Sequence, residues 1–223
     1  MLLTRTLCFS LLAASASVGA PRAQALQIQI QSPFKYIHTS TANSMSKALN
    51  SAGLAPEDSR KLPERAPQPH EEKILQAIRE MYSCKPKETT FDIYAPEAIF
   101  HDPVGIAEGV QSIRAQFVGL AKIFARADIP KFRVLQNPES VPESTILIDQ
   151  DVAYYRDDKA DSPTKTMNSL LTIETDNSHR VTRHYENWNH ERTSTSEDGF
   201  LGMLNEQRKR ITASLTDAVV GKK

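Results

Sequence analysis

The chain has 223 residues, 39% of them hydrophobic, and its 27 basic residues balance 27 acidic ones, enough apolar material for one globular domain plus an extra segment. The balance is uneven. Residues 1–56 hold no acid and only Arg5, Arg22, Lys35 and Lys47, so 27 bases less these four leave 23 against 27 acids downstream; a mildly acidic body lacks the basic face that nucleic-acid binding requires.

Residues 1–55 read as a targeting or disordered leader. The apolar run Leu7–Ala20 is broken by Ser10, Ser15 and Ser17 and is shorter than the ~20 residues of a membrane span, so no stable membrane insertion is expected. The acid-free, Ser/Thr-rich composition continues through Phe34-Lys35-Tyr36-Ile37-His38-Thr39-Ser40-Thr41, which predicts a mitochondrial transit peptide. The alternative is secretion, with Ala23-Gln24-Ala25 as the peptidase site. Pro56, Pro63, Pro67 and Pro69 predict a linker over 56–69, because proline at that density opposes both helix and central strand. The folded domain is then expected over 70–217. Cys8 lies in the leader, so the mature chain keeps Cys84 alone, with no internal disulfide and no zinc-type spacing.

Within that domain, Ile74, Ile78, Met81 and Tyr82 share one face of a helix over 70–83. A short apolar segment with Phe91 and Tyr94 follows, then a strand over 96–102. Val110, Ile113, Phe117, Leu120 and Phe124 recur at helical spacing, which predicts a helix from Gly109 to about Ala127. Strands are expected over 130–135, 145–156, 164–174 and 180–191, with Asp176-Asn177-Ser178-His179 as a turn. Thr195-Ser196-Glu197-Asp198 opens a final helix, and Arg208-Lys209-Arg210, directly after Glu206 and Gln207, reads as its solvated face. Helices first and a meander of strands later make an α+β domain.

Two groups of residues carry chemistry. In Ile99-Phe100-His101-Asp102-Pro103-Val104-Gly105 a carboxylate leaves an apolar strand just before a proline. A half-desolvated acid there can serve as a general base or acid, or it can cap the turn by accepting backbone N–H groups. Period two places His184, Glu186, Trp188 and His190 on one strand face. Neighbours ~7 Å apart and ends ~20 Å apart are too spread for one ion, so neither metal nor cofactor is expected. Trp188 reads as a cavity wall or a dimer-face anchor, and Tyr154 and Tyr155 straddle two faces, so one of them reaches the interior.

Tyr94-Ala95-Pro96-Glu97-Ala98-Ile99-Phe100-His101-Asp102-Pro103-Val104-Gly105, followed by Gly109 at a helix start, resembles the NTF2-like superfamily, nearest its SnoaL-like polyketide cyclases, ketosteroid isomerases and the SnoaL-like proteins of fungi. The resemblance implies a cone in which a curved antiparallel sheet wraps around helices, often a homodimer through the sheet. It also implies a cavity for a small apolar metabolite. Asp102 matches the isomerases' general base. Counting back from it, their oxyanion tyrosine falls at Ile78, with Tyr82 one turn later, and their protonated aspartate falls at Asn168 or Ser169. The expected site is therefore Asp102 with Asn168 as donor, in a pocket of Tyr82, Phe100, Tyr154, Tyr155, His184 and Trp188. The expected chemistry is isomerase- or cyclase-like proton transfer. The alternative is a non-catalytic interaction or ligand-carrier module, recognised by Phe100, Tyr154 and Trp188 filling the interior and Asp102 bonded to backbone.

Overall fold

A computed structural model describes residues 48–193 and Gly202. The leader ahead of residue 48 and, Gly202 aside, the final helix expected from Thr195 lie outside the described residues. Three helices, α1 Pro56–Lys61, α2 Glu72–Tyr82 and α3 Val110–Ile123, accompany six strands: β1 Tyr94–Asp102, β2 Gly105–Glu108, β3 Arg126–Leu135, β4 Thr145–Tyr155, β5 Lys165–Thr175 and β6 Val181–Trp188. The strands form one sheet in the order β2-β1-β6-β5-β4-β3. Strands β3 to β6 are the expected antiparallel meander. The sheet is nevertheless mixed, because β1 pairs in parallel with β6. A strand separated from its partner by the whole meander can return beside it in either sense, and sequence order does not choose between them.

On the inner face, α2 and α3 bury Ile74, Ile78, Met81, Ile113 and Phe117 against Phe100, Ile148, Leu171 and Ile173. Helix α2 ends in two crossed backbone bonds, Cys84 N–H to Met81 (3.2 Å) and Lys85 N–H to Glu80 (3.0 Å). They turn Cys84 to φ 58°, a left-handed stop usually filled by glycine. Helix α3 stops short of Ala127 because sheet pairing wins: Ala125 N–H bonds the Tyr155 carbonyl at 2.9 Å, and the Phe124 ring packs 4.8 Å from that of Tyr154. Strand β3 accordingly starts before Pro130. The proline sits where the β3–β4 register shifts, on an edge strand that can spare its N–H.

The outer face is covered too. Ala52, Leu54 and Leu62 pack on Leu135, Val141, Leu147 and Leu170, which is why the consecutive apolar residues Ile146-Leu147-Ile148 are all buried. Here the structure differs from the linker read over 56–69. Pro56 occupies the first turn of α1, where its missing N–H costs nothing. Beyond α1 the chain runs along the β3 edge, with Gln136 N–H donating to Pro63 (2.8 Å) and Arg65 N–H to Val134 (2.9 Å).

Candidate functional site

The parallel register pairs Phe100 with His184 and His101 with Tyr185. Alternation turns Phe100 and His184 inward, their rings 4.9 Å apart and edge to face, while His101 and Tyr185 turn outward. The next pair in that register sets Asp102 beside Glu186 on the inner side. Helix α2 brings Tyr82 to the same place. Its hydroxyl donates to Glu186 Oε2 at 2.9 Å and lies 3.3 Å from His184 Nε2. At the far side of the imidazole, Tyr94 Oη is 2.8 Å from His184 Nδ1.

Burial holds the His184 pKa down at about 3, so the ring is neutral, with one donor and one acceptor. Its two nitrogens join Tyr94 on one side to Tyr82 on the other, and the Tyr94 hydroxyl also lies 3.6 Å from Met81 Sδ. Both phenols are held above their usual range, Tyr94 by burial and Tyr82 by burial and then the Glu186 charge. A continuous hydrogen-bonded chain therefore runs from Tyr94 through His184 and Tyr82 to Glu186.

Glu186 is 8% exposed. Burial, and next the negative charge of Asp102, push its pKa up to about 8 against hydrogen bonds from Tyr82, Ser169 and Trp188 that favour ionisation. At neutral pH it carries a proton. Asp102 Oδ1 accepts two backbone N–H groups, from Val104 and Gly105, each at 2.8 Å, which closes the turn into β2. A cavity of about 690 Å³ counts Asp102 and Glu186 among its lining residues, with His101, Glu174, Arg183, Tyr185 and Arg192 among the others. That volume suits a small molecule, and charged and polar side chains share the lining with Leu49 and Pro103.

The remaining expected site residues divide between the faces. Phe100, Tyr154 and Trp188 are buried on the inner side, and the charges of Glu186 and Asp102 act on the Tyr154 phenol, whose pKa burial and these charges raise. Tyr155 lies on the outer side, its ring under the Arg126 guanidinium at 3.8 Å. Asn168 is also on the outer side, where Nδ2 donates to Asp149 (3.0 Å) and Asp151 (2.8 Å). The structure does not bring Asn168 to Asp102, because one residue of strand register decides the face. Its neighbour Ser169 faces inward instead. Sequence reasoning gave no role to Glu186 or Tyr94. The signal for Glu186 was its place two residues from His184 on the strand face.

His190 departs from the strand face assigned to it. Asn189 and His190 both take left-handed backbone, φ 52° and 59°, and swing the imidazole to the outer side. There Nδ1 is 2.8 Å from Ser59 Oγ and Nε2 is 3.2 Å from Asp149 Oδ1. Serine, histidine and aspartate in a row suggest a nucleophile relay. Ser59 and His190 are both 0% exposed, however, and Ser59 also bonds Asn50 and Pro56. The trio fastens α1 to the sheet. Among the described residues no group of three His, Cys, Asp or Glu side chains is placed to hold a metal ion, and no helix is long and apolar enough to cross a membrane.

No family model matches the chain, and no curated protein does. Among solved structures it is similar to a steroid delta-isomerase from Pseudomonas aeruginosa, at 12% identity over 70% of this chain and 98% of that one, with a TM-score of 0.45. It is similar to an NTF2-like protein of unknown function from Cytophaga hutchinsonii, at 11% identity over 56% and 93% of the two chains, with a TM-score of 0.39. It is also similar to a de novo designed protein with a curved β-sheet, at 15% identity over 60% and 94%, with a TM-score of 0.40. The structural neighbours are NTF2-like proteins, polyketide cyclases and steroid delta-isomerase.

Proposed function

We propose that the chain binds a small carbonyl compound at the Asp102–Glu186 pair and moves a proton on it. The observation that carries this reading is Glu186, a buried carboxyl bonded by Tyr82 at 2.9 Å and kept protonated near neutral pH beside a second acid. Two carboxyls whose surroundings separate their protonation can divide acid and base between them. Asp102 removes a proton from carbon next to the carbonyl, and the C–H electron pair moves toward the carbonyl oxygen. Glu186 donates to that oxygen, and the Tyr94–His184–Tyr82 chain holds the Glu186 carboxyl in place. Return of the proton to the same or another carbon gives exchange or isomerisation, and attack by the enolate on a second carbonyl gives cyclisation. Exchange and isomerisation move only protons; in cyclisation a C–C bond forms as the second carbonyl's π bond breaks and its oxygen takes up the proton that Asp102 removed, so no branch calls for an oxidant or reductant.

The test uses the full chain with small ketones and β,γ-unsaturated ketones in heavy water, reading deuterium uptake at carbon by mass spectrometry. Uptake is expected from the wild type and is expected to fall about a hundredfold or more in Asp102→Asn and in Glu186→Gln, the scale of one general acid–base group. Uptake that survives both substitutions would sink the proposal.

A second reading has its own support. Phe100, Tyr154 and Trp188 are each at most 6% exposed, and Asp102 is bonded to backbone, the features expected of a module that holds a ligand or a partner without chemistry. On that reading ligand affinity is indifferent to Asp102→Asn. A homodimer through the outer face would have to displace Ala52, Leu54 and Leu62, which already cover it.

A further inference from the structure

We infer, resting on the proton-transfer reading above, that the substrate carries a carboxylate which docks on Arg183 and Arg192 while its carbonyl end meets Asp102 and Glu186. The cavity has a chemical polarity. Three of its acceptors are engaged: Asp102 takes two backbone N–H groups, Glu186 takes the Tyr82 hydroxyl, and Asn187 Oδ1 takes the Ser51 N–H at 2.9 Å; the Glu174 carboxylate also lines it, beside Arg183.

Its donors are not. Arg183 has only a long approach to Glu174, with Nε 3.9 Å from Oε2. Arg192 makes no hydrogen bond or ion pair among the described residues, and Tyr185 and His101 make only a ring contact, 6.0 Å between centroids. A cavity with two guanidinium groups that lack close partners among the described residues is complementary to an anion that brings acceptors of its own. The planar guanidinium fork matches a carboxylate, two N–H groups to two oxygens.

Length agrees. Arg183 and Glu186 are three residues apart on β6, which is ~10 Å along a strand, the span of a small keto acid with its two ends apart. The odd spacing puts the two side chains on opposite faces of the strand, and both residues line the cavity. The ligand expected from sequence was apolar. The walls described here select a charged one.

The test measures affinity of the full chain for a panel of small keto carboxylates, acyclic and cyclic, each beside its neutral amide, by calorimetry at low salt, with deuterium uptake followed on the same compounds. The carboxylates are expected to bind about tenfold or more tightly than their amides. The preference is expected to shrink toward one in Arg183→Gln and in Arg192→Gln, both of which change exposed side chains outside the core. Equal affinity for acid and amide, a preference untouched by both substitutions, or no binding by any of the panel overturns the inference. If the amides still exchange deuterium through Asp102, the proton-transfer reading stands without the carboxylate. If the arginine-dependent preference appears without exchange, the anion site stands and the proton-transfer reading falls.

Discussion

Replacing Glu186 by glutamine keeps the shape of the side chain and removes its ionisation, so it isolates the protonation on which the site depends. The native carboxyl has its pKa raised from 4.5 to about 8, so between those values the folded chain holds a proton that the unfolded chain has released. Stability is therefore full below pH 4.5, falls as pH rises through that window, and is level again above it. About 3.5 pH units at ~1.36 kcal/mol each amount to about 5 kcal/mol of stability lost by pH 8. The amide oxygen of the substituted side chain would still accept the Tyr82 proton, at a cost of about 1 kcal/mol for a poorer fit among the other donors. The variant is thus expected to be slightly less stable than wild type at pH 5 and more stable by about 4 kcal/mol at pH 8, the curves crossing at about pH 5–6. Urea unfolding across pH 4.5–9 measures this directly. Trp188, the only tryptophan in the chain, is 6% exposed and hydrogen-bonds the carboxyl in question, so its emission reports the right place. Wild type and variant losing stability in parallel from pH 5 to 8 would mean that Glu186 is ionised in the native state, and its role as an acid would fall with it.

On the outer face, burial pushes the Asp149 pKa up, but hydrogen bonds from His190, Lys131 and Asn168 outweigh it and hold the carboxyl below its ordinary 3.8. Asp149→Asn is expected to cost about 3 kcal/mol at pH 7, because Lys131 and Arg133 lose a nearly buried partner. It should also flatten the loss of stability that the wild type shows as pH drops below 3.8, and urea midpoints at pH 7 and pH 3 check both. Burial lifts the Cys84 thiol to about 11, so at pH 8 iodoacetamide should label it far more slowly in the native protein than in urea; equal rates by peptide mapping would refute this.

What could be read from sequence follows the reach of each signal. Helices α2 and α3 and strands β4 to β6 announce themselves through spacings within a dozen residues, where period and burial are tied together. Helix α1 does not, because its first residue is a proline and what holds it lies far along the chain, His190 on Ser59 and Leu147 and Leu170 beneath the flanking Leu54 and Leu62. Strand β2, four residues long, is too short to show a period. Asp102 was visible because proline and glycine mark its turn. Glu186 was placed on the strand face with His184 but left out of the expected site, since a carboxylate on a strand ordinarily faces water, and the tyrosine that bonds it is 104 positions away. The same limit misplaced Asn168. Counting along a strand gives a position, but which face turns inward depends on a register set by the neighbouring strand.

The stretch from Leu49 to Leu62 also constrains how the protein can be matured. Leu49, Asn50, Ser51 and Gly53 form part of the wall of the cavity, and Ser59 is the partner of His190. A processing protease that cut at the proline cluster near residue 66 would open the cavity along one side. It would also strand the His190–Asp149 pair and present Leu135, Val141, Leu147 and Leu170 to solvent, a patch that invites aggregation. A chain that keeps Asn50 to Leu62 keeps these contacts. The boundary that composition draws at the prolines runs through the folded body and cannot serve as a seam.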